Sequence, residues 1–446
     1  MLKKGKAALQ DLKIEDRMKA LNVPGLSLSY FKQGKVQWVA SFGTLVHSGQ
    51  APVTKAALFQ AASISKPVVA IGALQLVERG HWALDAPINQ YLTQWILPEN
   101  QLTQKRPVTL RHLLSHSSGI QLSGFDGYSA GATLPNLVDI LDGTGPANSA
   151  PVRVSIVPGS QTQYAGGGYL VIQQLMEESV KGGFKAYMSE HVLKAAGMHN
   201  SFFAQPLPDH LGSFAAVGHL GDGTAIPGKW HIYPELAAAG LWTTSFDLAL
   251  LITSILRAYH GSNDELLSPE LAKELLSQQN HSWGLGVILL EGKQSKWLTH
   301  GGANLGYRST VLANLDNSEG VVMMTNGNRG DLLSSEILRN LAQMYHWDIF
   351  KTDMSPFVEL ELRQLQKFMG TYVHATEEDY QIEISIKGLK LMVRQLWNHV
   401  VFPIYPEQQN YFMAVQDGRS FKFNTSEKGI PVELVIDEKL VLIKVK

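Results

Sequence analysis

The chain has 446 residues, 45% of them hydrophobic and only 17% charged, which suits two domains with substantial cores and excludes a disordered protein. A formal net charge of -1 and a pI near 7.0 leave no electrostatic footprint for nucleic acid or an anionic membrane, so the expected partner is a small molecule. With no cysteine, a disulfide framework, a thiolate zinc site and a cysteine nucleophile are all excluded.

The chain opens on Met1-Leu2-Lys3-Lys4-Gly5-Lys6, a basic start with no apolar stretch after it. No run approaches the 18 or so apolar residues of a membrane span, and the expectation is a cytoplasmic protein with no membrane-spanning segment. Leu26–Phe31 alternates like a strand and runs through the turn Gln33-Gly34 into a second strand, Val36–Ala40.

Next comes Ser63-Ile64-Ser65-Lys66, immediately before the apolar run Pro67–Leu74. The pattern predicts a buried helix from about Ser65 to Arg79, closed by Gly80. Positions i and i+3 share a helical face, so the Ser63 hydroxyl and the Lys66 amine can meet. A serine is a poor nucleophile until a neighbour takes its proton, and a lysine does so only when its amine is neutral, a state that burial favours. Ser63 is therefore the candidate nucleophile and Lys66 its base. The same spacing recurs in Ser29-Tyr30-Phe31-Lys32, but there it lies in a strand, where Ser29 and Lys32 point to opposite faces.

Thr109–Leu114 reads as a short helix, and His112–Gly119 as scaffold for a pocket wall. Gly127-Tyr128-Ser129-Ala130-Gly131 matches the Gly-x-Ser-x-Gly pattern of another hydrolase class, yet a glycine-rich loop precedes it where that motif needs a buried strand. Tyr164 stands at the rim of a loop just before Gly166-Gly167-Gly168. A phenol held beside a cation can ionise partly and share base duty with the lysine, or Tyr164 simply packs while the glycines start a helix. Helices are expected at Tyr169–Val180 and Phe184–Ala196.

Lys296–His300, Gly306–Leu312 and Gly320–Met324 read as three successive strands that the N-terminal pair can join in one antiparallel sheet. Helices set against such a sheet make an α+β domain. The first of these strands ends in paired glycines, in Thr299-His300-Gly301-Gly302-Ala303-Asn304. Paired glycines let a strand pass close along a substrate, and the Ala303 N–H can complement that of Ser63 as an oxyanion donor. His300 is either part of this site or a structural histidine.

Around Lys351–Pro356 the pattern changes to a meander of short strands: Tyr380–Ile386, Leu389–Val393, Tyr411–Val415, Phe421–Asn424, Val432–Ile436 and Leu440–Val445. Their turns fall at Lys387-Gly388, Asp417-Gly418 and Lys428-Gly429, and the expectation is a small antiparallel barrel or half-barrel over residues 356–446, after a catalytic domain over 1–350. Nothing implies a metal or a nucleotide cofactor: no His-Glu-x-x-His, paired-cysteine or glycine-rich phosphate-loop pattern is present.

Taken together, Val23-Pro24-Gly25-Leu26-Ser27, Phe59–Pro67, Leu110–Gly119, Tyr164–Tyr169, Gly240–Thr244 and His300-Gly301-Gly302 resemble the serine β-lactamase and penicillin-binding-protein superfamily. The resemblance is to its class C-like branch of esterases and D-amino peptidases, and the motifs fall in that family's order across roughly residues 20–345. The resemblance implies that Ser63 is the acylated nucleophile, Lys66 its base, and Tyr164 the tyrosine of the Tyr-x-Asn motif. It puts His300 in the place of the Lys-Thr-Gly lysine, with Gly301 and Gly302 along the substrate. The last 90 residues or so look like the lipocalin-like domain attached to some members. One departure stands out: the third position of Tyr-x-Asn is Gly166. An ester, peptide or β-lactam-like small molecule is the implied substrate, with ester or amide preferred to β-lactam; a catalytically silent scaffolding homologue is the other reading.

Overall fold

The computed structural model describes residues 13–445 except 263–265, 351–357, 359, 378–379, 389, 398–400, 415–418, 428 and 438. The basic start, the composition change at Lys351–Pro356, the turn Asp417-Gly418 and parts of the expected strands at Leu389 and Val415 lie outside the described residues. Two compact units are present, one spanning Glu15–Asp331 and the other built mainly from Leu332–Lys446.

In the first unit six strands form one antiparallel sheet. They are β1 (Gly25–Lys32), β2 (Lys35–Gly43), β5 (Ile288–Glu291), β6 (Lys296–Asn304), β7 (Tyr307–Asn314) and β8 (Gly320–Thr325), and β3 (Phe59–Gln60) pairs separately with β4 (Trp242–Thr243). The sheet order is β2-β1-β8-β7-β6-β5, so the N-terminal hairpin joins the three C-terminal strands as expected. Its turn uses Gln33 at φ 51° and Gly34 at φ 67°, the left-handed pair that a two-residue hairpin requires. Strand β5 was not expected: its four residues Ile-Leu-Leu-Glu carry no alternation.

Five helices matter for the site: α1 (Ser65–Glu78), α2 (Leu110–Leu114), α3 (Gly166–Ser179), α4 (Leu236–Ala239) and α5 (Ser245–Tyr259). Helix α1 is apolar all round and buried from Ser65 to Leu76, which marks a core helix enclosed on every side. It ends at Arg79, followed by Gly80 at φ 75°. Helix α3 begins three residues earlier than expected, because the three glycines are its first turn. There they admit a neighbouring loop: Gly166 N–H donates to Ser123 C=O at 3.1 Å and Gly167 N–H to Leu122 C=O at 2.9 Å. Helix α5 crosses β1, β2 and β8, and its Ser245 Oγ lies 2.8 Å from the hydroxyls of both Ser27 and Ser29. The alternative pair is thus separated, with Ser29 buried and Lys32 outside, in an ion pair with Glu319 at 3.4 Å.

The second unit contains a closed antiparallel barrel of eight strands: β9 (Gly370–His374), β10 (Gln381–Lys387), β11 (Lys390–Gln395), β12 (Val401–Gln408), β13 (Tyr411–Met413), β14 (Ser420–Thr425), β15 (Pro431–Ile436) and β16 (Leu440–Lys444). Closure comes from β9, which pairs with both β10 and β16 and so leaves no edge unpaired. Strands β9 and β12 were missed in the sequence. Pro403 and Pro406 weaken the signal of β12, and the ladder accommodates them with a register shift after Pro406. The interior is filled by side chains: Phe368, Phe412 and Phe423 form a ring cluster with centroids 4.6 to 5.5 Å apart.

Candidate active site

Ser63 sits in a tight 3₁₀ turn (Ala62–Ile64) between β3 and α1, half-buried. The preceding Ala62 has φ 51°, a left-handed conformation that costs a non-glycine residue roughly 1–3 kcal/mol. Three contacts hold it. Ala61 N–H donates to Leu241 C=O at 2.9 Å, and Ser65 Oγ donates to Ala62 C=O at 2.6 Å while accepting Leu241 N–H at 3.1 Å. The third contact is with β6, where a Cβ on Gly302 would lie 2.1 Å from Ala61 O. Only glycine permits that approach.

Lys66 projects from the first turn of α1 with its Nζ 3.0 Å from Ser63 Oγ, and donates to Ala238 C=O, the last turn of α4, at 2.8 Å. Its side chain is 2% exposed, and among the described residues no ion pair involves it. Burial alone pulls the Lys66 pKa down to about 7. A large fraction is therefore neutral at physiological pH and able to accept the proton of Ser63.

Desolvation pushes the Tyr164 pKa up to about 12, against the opposing influence of the nearby Ser63 hydroxyl. The Lys66 ammonium lies 4.9 Å from the ring centre, yet burial outweighs it. The phenol keeps its proton at neutral pH, which suits a donor and relay rather than the partly ionised base envisaged from the sequence.

His300, on β6, is 3% exposed. Its Nδ1–H donates to Gly301 C=O at 2.8 Å, leaving Nε2 as a lone pair that is buried and without a partner among the described residues. Burial first, then the nearby Lys66, holds its pKa down to about 3. Histidine 300 is thus neutral across the working range and supplies no titrating positive charge for a substrate carboxylate, contrary to what its residue type alone suggests.

The turn that follows β6 fixes where Ala303 points. Asn304 pairs with Tyr307 across the two-residue connection Leu305-Gly306, which makes that pair the hydrogen-bonded one and the alternate residues Gly301 and Ala303 outward-facing. Leu315 N–H donating to Lys296 C=O agrees with this parity. Because β5 pairs with β6 only as far as Thr299, the backbone groups of Gly301 and Ala303 face an open edge.

The sequence-derived residues Ser63, Lys66, Tyr164 and His300 therefore converge, with Gly301, Gly302 and Ala303 on the bordering strand. Ser129 does not join them; it is exposed in a loop. Position 166 leaves no room for an asparagine side chain, since a Cβ there would stand 2.8 Å from Ser123 O and 2.9 Å from the Phe125 ring. Three neighbours were not anticipated: His116, hidden in a segment read as scaffold; the half-buried Trp283, whose ring centre is 4.4 Å from His116 and 5.9 Å from His300; and Glu235, just before α4. No periodicity marks any of them.

The model of one protein family, Beta-lactamase, matches residues 11–343. The chain belongs to the Beta-lactamase family. Membership places it among the serine hydrolases. It is similar to esterase EstB of Burkholderia gladioli, at 28% identity over 48% of this chain and 55% of the esterase, so it spans about half of that relative. It is also similar to penicillin-binding protein 4 of Amycolatopsis lactamdurans, at 24% identity over 72% of this chain and 85% of that protein. Among solved structures, the octameric penicillin-binding protein homologue from Pyrococcus abyssi shares the fold with a TM-score of 0.66, at 21% identity and covering 98% of this chain and 99% of that one. No helix among the described residues is long and apolar enough to cross a membrane.

Glu235 carries a pH dependence of stability. It is fully buried, neither carboxyl oxygen has a partner among the described residues, and burial pushes its pKa up to about 7 from 4.5. The native state keeps this proton between those values after the unfolded chain has lost it. Stability from this group is therefore full below 4.5 and is lost as pH rises to about 7, by an amount on the order of 3 kcal/mol. Glu235→Gln cannot ionise, so its melting temperature relative to the unsubstituted protein should be more favourable at about pH 8 than at about pH 5. An equal difference at both pH values would show that ionisation there carries no penalty.

Proposed function

We propose that this chain cleaves ester or amide bonds through an acyl-enzyme on Ser63. The observation that carries the reading is a buried lysine, its pKa near 7, at 3.0 Å from the serine hydroxyl. Ser63 Oγ attacks the substrate carbonyl while neutral Lys66 takes its proton. The N–H groups of Ser63 and Ala303 receive the oxyanion. Tyr164, still protonated, donates to the leaving oxygen or nitrogen and regains its proton from Lys66. Water then attacks the acyl ester as Lys66 accepts its proton, and Lys66 returns that proton to Ser63 Oγ as the tetrahedral intermediate collapses to the free acid.

The substrate class follows from the site's charge. With His300 neutral and glycine at 166, the core of the site offers neither a permanent cation for a carboxylate nor an asparagine amide for an acyl-amide side chain. That favours short acyl esters and small peptide amides over penicillins and cephalosporins. We also assign residues 1–350 as the catalytic domain and 356–446 as a separable β-domain, supported by separate hydrophobic cores, while the compact units themselves divide earlier, between Asp331 and Leu332.

Peptide mapping after treatment with a fluorophosphonate should place one adduct on Ser63; an adduct on Ser65, Ser29 or Ser129 would displace it as nucleophile, and none at all would favour a silent homologue. Lys66→Ala should abolish labelling with the fold retained, and Tyr164→Phe should lose roughly several hundred-fold in turnover. The active form has Lys66 neutral, so kcat/KM should climb with pH through about 7 and fall below it.

Side-by-side kcat/KM values for esters, peptide amides, a penicillin and a cephalosporin test the substrate class. A β-lactam processed more efficiently than every ester and amide would overturn it.

Limited proteolysis should cut between about Lys351 and Leu360 and leave Ser63 reactive. A folded but inert catalytic fragment would mean that the tail contributes to the pocket.

A further inference from the structure

His116 has a set of contacts that scaffold alone does not explain. It is fully buried, and its backbone is left-handed at φ 56°, an uncommon conformation for a residue other than glycine. Its two hydrogen-bond acceptors bracket the candidate tyrosine. The His116 carbonyl accepts the Gln163 N–H at 2.8 Å, and its ring Nδ1 accepts the Ala165 N–H at 3.0 Å. Between those two amides lies Tyr164, whose ring is 4.4 Å from the imidazole, centre to centre. Trp283 closes the other side at 4.4 Å, edge-on, and Tyr169 lies at 5.5 Å.

We propose that His116 is the positioning residue that holds the Tyr164 hydroxyl on Ser63, gripping the chain on both sides of the tyrosine and lying against its ring. The inference deepens the proposed serine-hydrolase reading and rests on it. The grip requires Nδ1 to be bare, because it must accept from an amide. The imidazole is thereby confined to the neutral form with its proton on Nε2. The groups facing it agree with this: burial first, then Lys66 and His300, depress its pKa well below the ordinary value, and Tyr164 and Tyr169 beside it both keep their protons. A cationic His116 would lose its bond to Ala165 and place a second positive charge near Lys66. The Nε2–H, buried and without a partner among the described residues, is left as a neutral donor.

Two substitutions separate the ring from the backbone. His116→Gly keeps the left-handed conformation and the carbonyl grip but removes the ring. His116→Asn puts an amide oxygen where Nδ1 stood and also tolerates positive φ. The glycine variant should lose on the order of 10- to 100-fold in kcat with KM within about three-fold, as expected for a misplaced acid–base group. Its acid limb should also move to higher pH as water reaches Lys66. The asparagine variant should recover to within about five-fold of the unsubstituted enzyme. A glycine variant within about two-fold in kcat, or two variants equally impaired, would overturn the proposal. Should His116→Gly fail to fold, the asparagine variant's turnover decides alone. Two-bond ¹⁵N–¹H spectra, assigned by difference against His116→Asn, should show His116 neutral with its proton on Nε2 from about pH 5 to 8. A proton on Nδ1 or a titration in that range would overturn it. This measurement needs no turnover, so an inactive protein with the lock intact would count against the hydrolase reading alone.

Discussion

The desolvation of one lysine is the constraint around which the catalytic unit is arranged. Lys66 is held near neutrality because α1 is apolar on every side and because no carboxylate compensates its charge among the described residues. An acidic partner would stabilise the ammonium and return the pKa toward its ordinary value. What the amine has instead is a carbonyl, that of Ala238, and a hydroxyl, that of Ser63. Both are satisfied by a neutral amine, which donates to the first and accepts from the second.

Holding Ser63 at that distance requires backbone that would be unfavourable alone. Ala62 is left-handed, and so is His116 at the opposite side of the site. Each is tied down by bonds from other segments: Ala62 by Ser65, Leu241 and the bare backbone of Gly302, His116 by the chain on either side of Tyr164. Strained residues of this kind persist only when their surroundings over-determine them, and here the surroundings are drawn from α1, β6, the segment after α4 and the loop before α3 together.

The electrostatic character that results is unusual for a hydrolytic centre lined with so many titratable groups. Lysine 66 is partly neutral, both histidines are neutral, both tyrosines are protonated, and Glu235 behind α4 favours its neutral acid below about pH 7. Burial drives all of these shifts toward the uncharged form. The proton relay proposed between Ser63, Lys66 and Tyr164 would thus meet no fixed ion to trap it.

Much of this was legible in the chain. Spacing and apolarity found Ser63, Lys66 and α1, because a helix brings i and i+3 together wherever it sits. Short strand-like runs bounded by turn signals found β1, β2, β6, β7 and β8 and most of the barrel. The ordered motifs located Tyr164 and His300. The short strand β5, the proline-bearing β12 and the first turn of α3 were missed because tertiary contacts, rather than local pattern, stabilise them. Protonation states were likewise beyond reach: a histidine reads as a switch near neutrality, and only its enclosure shows that His300 stays neutral down to about pH 3. The sequence by itself determined that Ser63 and Lys66 can meet, since a three-residue spacing at the start of a helix is local. Tertiary structure alone decided their charges and the contacts of His116, because desolvation and the bracketing of Tyr164 depend on segments far apart in the chain.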